Sequence, residues 1–315
     1  MRAIAVKEFG GPEVLELCEI PEPEIRPGRL RLRTILAGVN FADIHLREGT
    51  YPAPMPCPFV PGNEVLGEAE DGRRYVALGK GGGYAEVVAA HRKLAFEVPD
   101  GVSDHDAVAL MLQGNTAWHL LHTDLKLTAE DTLLVPAAAG GVGSLAVQLA
   151  KRTGAKVVAM AGTEDKRRIA LGLGADAVVD SSTTEDLAER IVEAAGGQVT
   201  AALEMTGGDV FYATLNALTP RGRMSVFGAV TGVEGLVPIT QLVGQSKSVT
   251  GFWLPSLYPS RTHINDSMTA LFDAVQEGWL KPLPGPVYKL GQARQAHTDL
   301  AARLTSGKVV LNVRS

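Results

Sequence analysis

The segment Asp131–Ala146, with the sequence DTLLVPAAAGGVGSLA, constrains the fold of this chain more than any other stretch. Thr132–Ala138 is a short apolar run, which predicts a buried parallel strand. Gly140, Gly141 and Gly143 follow, and apolar residues then recur at helical spacing. A strand, a glycine turn and a helix in this order are typical of dinucleotide binding. The helix N-terminus offers unpaired N–H groups, and glycine lets the backbone approach a pyrophosphate closely.

The glycine pattern itself departs from the usual GxGxxG motif. Aligned to that motif, the six residues are Ala138–Gly143, so the first glycine is replaced by alanine. The context supports the assignment, because a second apolar strand is predicted at Lys156–Gly162. The alternative is an ordinary strand-to-helix turn that needs glycine only for packing.

Composition excludes several classes of protein. The chain has 315 residues, which predicts one large or two ordinary domains, and 45% hydrophobic residues are enough for sizeable cores. A net charge of −5 without a basic run argues against nucleic-acid or membrane-surface partners. No apolar stretch approaches the roughly 18 residues of a membrane span. The N-terminus enters a strand pattern rather than a signal peptide, and Cys18 and Cys57 are the only cysteines. We therefore expect a cytoplasmic protein without disulfides.

The first hundred residues predict a β-rich, barrel-like unit, because short strands alternate with turn signals. The proline cluster Tyr51–Pro61 predicts an extended loop. The predicted strands are Arg2–Val6, Val14–Glu19, Arg29–Gly38, Val65–Glu70, Arg73–Leu78 and Ala85–Val88.

Beyond residue 130 strands alternate with helices, which predicts a parallel, doubly wound sheet of about six strands. The tail from about Pro255 contains further strands, and we expect it to rejoin the N-terminal unit. The predicted domains are therefore 1–113 with 255–315, and 114–254. The predicted parallel strands are Thr132–Ala138, Lys156–Gly162, Ala177–Asp180, Thr200–Met205, Arg223–Ala229 and Ser248–Leu254.

The end of the second parallel strand indicates which dinucleotide binds. NAD sites usually place an acid there to bond the ribose 2′-OH, and this strand carries none. Thr163 and Lys166 follow, and a hydroxyl and a cation in the first helical turn suit a 2′-phosphate. The residues therefore favour NADPH. The alternative is a solvated helix start, with Glu164 and Asp165 placed for the helix dipole.

No metal site or nucleophile motif is evident. The seven histidines form no HxH or HxxxH pair, and His119 and His122 lack a visible Cys or carboxylate partner. No GxSxG or Cys/His motif is present. We expect neither a bound metal nor covalent catalysis.

These features together resemble a known family. The chain is similar to the medium-chain dehydrogenases/reductases, and within them to the zinc-independent quinone oxidoreductases related to zeta-crystallin. The order and spacing of the motifs over the full length make the resemblance specific. The motifs are Gly38–Asp43 (GVNFAD), Arg47–Pro52 (REGTYP), Pro61–Glu64 (PGNE) with Gly67, Gly114–Ala117 (GNTA) and Ala137–Gly143 (AAAGGVG).

The resemblance implies an α/β fold in which a GroES-like β-barrel catalytic domain accompanies a Rossmann doubly wound parallel sheet. Zinc alcohol dehydrogenases of the same superfamily carry cysteine where this chain has Asn40, and GHE where it has Gly62–Glu64. They also carry a four-cysteine lobe where Gly79–Tyr84 is a short glycine turn. The resemblance therefore implies hydride transfer without a metal.

The resemblance also implies roles for individual residues. Asn40, Tyr51 and His45 would be the donors near the substrate, although relatives often have tyrosine at position 45. The proton for the reaction would come from one of these side chains or from water. At the cofactor site, Ser181 lies where relatives often have a tyrosine beside the adenine. The implied cofactor-binding residues are Phe41, Thr116, Gly140, Gly141, Val142, Gly143, Gly162, Thr163, Lys166, Ser181, Phe227, Gly228, Ala229, Gly251, Trp253 and Lys308.

Three functions remain open at this point. The first is NADPH-dependent reduction of a quinone or related conjugated carbonyl. The second is reduction of a 2-alkenal, enone or enoyl thioester on the same scaffold, and the third is a non-catalytic NADPH-binding sensor or structural protein. We also expect a homodimer, because relatives pair through the edge strand Ser248–Leu254 and an exposed apolar edge is a liability.

Overall fold

The computed structural model describes residues 1–315, with the side chain of residue 261 left out. The chain forms two compact units. The antiparallel unit comprises Met1–Asn115 and Leu257–Ser315, and the parallel unit comprises Thr116–Ser256. The sequence predicted the junctions at 113/114 and 254/255.

A seven-stranded sheet dominates the antiparallel unit, with strand order β14-β15-β3-β4-β5-β7 and β6 pairing with β3. β1 and β2 form a separate antiparallel pair. The C-terminal segment returns to this unit, because β15 pairs with β3 in the register Val310 to Gly38. The strands are β1 (Arg2–Val6), β2 (Leu15–Glu19), β3 (Arg29–Gly38), β4 (Glu64–Glu68), β5 (Arg74–Leu78), β6 (Val87–His91), β7 (Ala95–Glu97), β14 (Pro284–Lys289) and β15 (Lys308–Asn312).

Alternation explains why β3 faces a core. Leu32 and Thr34 are buried, whereas the alternate residue Arg33 is exposed, as expected for a strand with one face against the interior. The unit contains four α-helices among the described residues. They are α1 (Phe41–Glu48), α2 (Asp104–Ala109), α9 (Arg261–Gln276) and α10 (Ala293–Ala301). Of these, α2 packs against β3 and β4, and α10 packs against β15.

The parallel unit contains six parallel strands in the order β10-β9-β8-β11-β12-β13. The order reverses between β8 and β11, and ligands of such sheets bind at the carboxyl edge beside this reversal. The strands are β8 (Thr132–Val135), β9 (Lys156–Ala161), β10 (Ala177–Asp180), β11 (Val199–Glu204), β12 (Leu218–Val226) and β13 (Ser248–Gly251). The helices are α3 (Asn115–His119), whose first residue lies in the other unit, α4 (Gly141–Thr153), α5 (Glu164–Gly172), α6 (Leu187–Ala195), α7 (Gly208–Ala217) and α8 (Ile239–Gln245).

Several predicted strands end earlier than expected, and the one predicted at Arg223–Ala229 stops at Val226. The strand predicted at Thr132–Ala138 stops at Val135, because the backbone turns at Ala137, whose φ is +44°. The edge strand predicted at Ser248–Leu254 stops at Gly251, and Leu254–Leu257 forms a 3-10 turn instead. Apolar composition continues past these strand ends, so composition alone did not show where pairing stops.

The predicted fold class is confirmed: an antiparallel-rich unit accompanies a separate doubly wound parallel sheet. Among the residues described, no helix combines the length and the apolar character needed to cross a bilayer.

Candidate functional site

The glycine turn joins β8 to α4. Gly140 is the N-cap of the helix in an extended conformation, and its N–H donates to the Ala137 carbonyl over 2.7 Å. A β-carbon on Gly143 would lie far inside van der Waals distance of the Ala137 carbonyl oxygen and the Ala138 backbone. The third glycine of the motif therefore lets strand and helix approach. The first N–H groups of α4 have no partner within the helix, so they are available to an anion.

The ends of β9 and β10 gather a second group of predicted residues. Gly162 and Thr163 follow β9, and the Thr163 hydroxyl caps α5 by accepting from the Lys166 N–H over 3.3 Å. Ser181 follows β10 and donates its N–H to the Ala161 carbonyl over 3.3 Å. The structure thus brings Gly162, Thr163, Lys166 and Ser181 together at one edge of the sheet.

The charge of the acids that open α5 is partly offset within their own helix. Arg168 pairs with Glu164 over 3.4 Å and with Asp165 over 2.9 Å. Arg167 pairs with Asp180 over 3.0 Å, and hydrogen bonds from Ser182, together with this guanidinium, lower the pKa of Asp180. These pairs reduce the repulsion that Glu164 and Asp165 would otherwise exert on a phosphate.

The remaining predicted residues of the parallel unit lie after β12 and β13. The Phe227 N–H donates to the Glu204 carbonyl over 2.9 Å, which fixes the segment that continues through Gly228 and Ala229. Gly251 ends β13, and Trp253 is half-exposed just beyond it. Thr116 is buried on α3. The cofactor-binding residues predicted beyond β8, β9, β10, β12 and β13 thus share the carboxyl edge of the sheet.

The antiparallel unit contains a buried polar cluster around Asn40. The Asn40 amide nitrogen donates to Glu64 Oε1 over 2.7 Å, and the Asn40 carbonyl oxygen accepts from Gln113 Nε2 over 3.0 Å. The same oxygen accepts from Lys308 Nζ over 3.1 Å, and Lys308 also forms an ion pair with Glu64. Asn40 is 5% exposed, and Glu64 and Lys308 are each 1% exposed.

Local sequence explains how Asn40 is positioned. It is the N-cap of α1, and its backbone N–H donates to Asp43 Oδ2 over 2.9 Å, while the Asp43 N–H donates to the Asn40 backbone carbonyl over 3.0 Å. The second oxygen of Asp43 accepts from the backbone and side-chain nitrogens of Asn63, over 3.2 and 3.0 Å. Gly38 makes room for the cluster, because a β-carbon there would overlap the Glu64 carboxylate.

A second arm of polar residues extends from Asp43. The Tyr84 hydroxyl donates to Asp43 Oδ2 over 3.4 Å and lies 3.0 Å from His297 Nε2. His297 Nδ1 lies 3.4 Å from Arg47 Nη1, which can only donate, so the hydrogen of the neutral ring is assigned to Nε2.

Burial shifts the titration of this arm. It raises the pKa of Asp43 to about 7, against the hydrogen bonds from Asn40 and Asn63. Burial, aided by the Arg47 charge, lowers the pKa of His297 to about 3, so the ring is neutral near pH 7. The arm therefore contains a carboxyl that titrates in the physiological range.

The geometry leaves the Asn40 side chain one N–H that can still donate a hydrogen bond. Its carbonyl oxygen already accepts two hydrogen bonds, and one amide hydrogen is used by Glu64. One N–H remains, since an amide nitrogen carries two hydrogens. An ammonium on the carbonyl side strengthens the remaining donor, which is the group that a developing oxyanion needs.

The other predicted residues of this unit lie on or after α1. Phe41 is half-buried at its first position. His45 Nδ1 lies 3.1 Å from the Thr50 hydroxyl, and burial lowers the pKa of His45. The Tyr51 N–H donates to the His45 carbonyl over 3.2 Å, so His45 and Tyr51 are adjacent. Asn40, Phe41, His45 and Tyr51 thus belong to one helix and the turn that follows it.

The structure places Lys308 inside the polar cluster, bonded to Asn40 and Glu64, although the resemblance implied cofactor contact. Sequence reasoning gave no role to Glu64, Gln113, Asp43, Tyr84, His297 or Arg47. Single charged residues at the start of apolar strands, such as Glu64 in EVLGE and Lys308 in KVVLN, were an available signal. In the part of the chain described here, no three His, Cys, Asp or Glu residues are grouped as metal ligands.

Comparisons with known proteins agree with this geometry. A family model described as zinc-binding dehydrogenase matches residues 141–273. Quinone oxidoreductase from Pseudomonas aeruginosa is 33% identical over 98% of this chain and 99% of its own. The 2-haloacrylate reductase of a Burkholderia species is 31% identical over 98% of each chain. The structure of Escherichia coli quinone oxidoreductase complexed with NADPH superposes with a TM-score of 0.93, at 30% identity over 99% of this chain and 100% of that one. This chain therefore belongs to the quinone oxidoreductase family of the medium-chain dehydrogenase/reductase superfamily of enzymes.

Proposed function

We propose that this protein reduces a quinone or a related conjugated carbonyl with NADPH and without a metal. The observation that carries the proposal is the hydrogen bonding of the Asn40 side chain. Glu64, Gln113 and Lys308 fix this side chain, and one N–H of its amide remains unused. The carboxyl edge of the parallel sheet supports the cofactor assignment. The NADPH complex of the Escherichia coli relative supports it as well.

The residues of this chain divide the work. The N–H groups of Gly141, Val142 and Gly143 bind the pyrophosphate, and Thr163 and Lys166 bind the 2′-phosphate. Bound NADPH supplies the hydride. Asn40 donates its remaining N–H to the acceptor carbonyl oxygen, where negative charge accumulates. Lys308 and Glu64 keep the Asn40 amide oriented.

The proton that completes reduction comes from water or from the His45–Tyr51 pair. His45 has a lowered pKa, so it is neutral near pH 7 and a poor acid there. Tyr51 therefore acts as a hydrogen-bond donor, and Tyr51→Phe lowers kcat/KM by a modest factor. An unchanged kcat/KM assigns the proton to water and removes Tyr51 from the mechanism.

The deciding experiment follows NADPH consumption with 1,4-benzoquinone and a naphthoquinone as acceptors. Removing a single oxyanion donor costs about 100-fold or more in kcat, so Asn40→Ala lowers turnover by that order while NADPH affinity stays close to wild type. Turnover by the wild type excludes a purely structural or sensory nucleotide-binding protein. Absence of turnover with every acceptor contradicts the proposal.

Reduction of a conjugated alkene is the second candidate, and the Burkholderia 2-haloacrylate reductase is the observation that favours it. The same assay with acrolein, 2-chloroacrylate and a crotonyl thioester separates the candidates. A kcat/KM for one of these that exceeds the values for both quinones assigns the chain to alkene reduction.

The choice of cofactor is tested by fluorescence titration with NADPH and NADH. We expect tighter binding of NADPH, and we expect Lys166→Ala to reduce the difference. Tighter binding of NADH by the wild type contradicts the assignment of the 2′-phosphate site.

A further inference from the structure

A cavity of about 270 Å³ opens in the antiparallel unit beside β4, β5 and β6. Val65, Leu78, Val88 and Leu94 contribute apolar wall. The turn Gly79–Gly83 contributes four of its residues and only one side chain, that of Lys80, so backbone forms much of that side. The cavity therefore accommodates a small apolar body.

Hydrogen-bond donors line the same cavity. Arg29 and His91 face each other across the β3–β6 pair, and Lys80 joins them in the lining. Arg29 donates one N–H to the Ala89 carbonyl over 3.3 Å, and its other N–H groups can still donate. Within the described side chains, no carboxylate forms an ion pair with Arg29 or Lys80. His91 Nδ1 accepts from the Lys93 N–H over 3.1 Å, so His91 presents Nε2–H as a donor.

The amide and carboxylate oxygens of the lining side chains are already engaged, and Asn63 Oδ1 accepts from the Gly81 N–H over 3.3 Å. Among the described residues of the lining, Glu64 is the only acid. Both of its oxygens are occupied: Oε1 accepts from Asn40 and Lys308, and Oε2 accepts from the Leu112 N–H over 2.9 Å. Burial raises the pKa of the Tyr258 hydroxyl, so it stays protonated and adds a further donor. A ligand that satisfies this lining must bring the acceptors itself.

We propose that this cavity is a binding site for a small apolar carboxylate. The apolar body packs against Val65, Leu78 and Leu94, and the carboxylate lies at Arg29 and Lys80. Two unpaired cations favour an anion over a neutral oxygen acceptor, and the Arg29 fork matches the two oxygens of a carboxylate. Binding at this site requires neither NADPH nor a quinone, and Asn63 and Glu64 belong both to the cavity lining and to the Asn40 cluster.

Calorimetric titration of the whole chain with octanoate tests the proposal, and octanamide serves as the uncharged counterpart. We expect octanoate to bind, and we expect the Kd of octanamide to be at least about tenfold higher. The reason is that losing one charge-assisted hydrogen bond weakens binding by about this factor. We expect the double variant Arg29→Gln with Lys80→Gln to bind octanoate with about tenfold or more lower affinity than the wild type. Both side chains are exposed, so the fold should tolerate the change.

The matched control combines Arg92→Gln and Lys93→Gln. It removes the same charge from exposed neighbours outside the cavity lining, and octanoate affinity should stay at the wild-type value. Three results overturn the proposal: no octanoate binding, equal binding of octanamide, or equal loss in the two double variants. NADPH titration of the same proteins reports separately on the cofactor site, so failure of one proposal is distinguishable from failure of the other.

Discussion

At the scale of single residues, the buried ion pair of Lys308 and Glu64 predicts a large loss of stability when one partner is replaced. Lys308→Met leaves the Glu64 carboxylate buried without its cation. Breaking one side of a buried ion pair costs about 3–5 kcal/mol, so the urea midpoint should fall sharply. The double variant Lys308→Met with Glu64→Gln removes the charge as well and should recover much of that loss. If the double variant is no more stable than the single one, the ion pair is not the source of the destabilisation.

Asp43 predicts a specific pH dependence of stability. Burial raises its pKa to about 7, so between about pH 4 and pH 7 the folded chain keeps a proton that the unfolded chain has released. The contribution of Asp43 is therefore complete below about pH 4 and declines as the pH rises through 7. The limiting slope is about 1.4 kcal/mol per pH unit.

Asp43→Asn isolates this contribution, because the amide does not titrate. The difference in unfolding free energy, wild type minus variant, should decrease from pH 4 to 7 and level off above that. Urea unfolding of both proteins across this range provides the measurement. A difference that stays constant with pH means that Asp43 has its ordinary pKa in the folded chain.

The same residues show what a sequence can and cannot reveal. Motifs pointed to Asn40 and Tyr51, and the family resemblance pointed to Lys308. Hydrogen bonds within the cluster, however, join residues up to 268 positions apart. Local periodicity carries no information about such pairings. His297 was one of seven histidines, and only the fold places it beside Tyr84.

At the scale of elements, the glycine turn predicts different tolerance at its two ends. A β-carbon on Gly143 would overlap backbone, whereas one on Gly140 would lie 3.1 Å from the Ala137 carbonyl oxygen, where a small shift suffices. Gly143→Ala should therefore lower NADPH affinity by at least about tenfold, and Gly140→Ala by clearly less. Fluorescence titration of both variants decides this, and equal affinities would contradict the role of Gly143.

The turn was predictable because its signals are local. Strand, glycines and helix follow one another within about sixteen residues, and each has a sequence signature. Strand ends were less predictable: the apolar runs at Thr132–Ala138 and Ser248–Leu254 continue past the last paired residue. Pairing stops where the backbone turns, and φ at Ala137 cannot be inferred from its side chain.

At the scale of the whole molecule, the edge strand β13 predicts association. The Phe252 N–H donates to Val226, so by alternation the Val249 N–H points away from β12. The parallel unit also exposes Ile239 and Val243, at 76% and 75%. We expect a homodimer that buries this edge.

Val249→Pro removes the outward N–H and should shift the protein toward monomer in sedimentation velocity at micromolar concentration. Val249→Thr keeps that N–H and is the matched control, which should remain dimeric. A monomeric wild type, or a proline variant that stays dimeric, argues against pairing through β13.

The return of β15 to β3 also affects the order of folding. The parallel unit is a continuous segment of the chain, whereas the antiparallel unit is built from two segments that this segment separates. Closing the longer loop is entropically costly and slow unless the intervening residues are already compact. During synthesis the parallel unit should therefore acquire its structure first, and the cation that completes the Asn40 cluster reaches its place last.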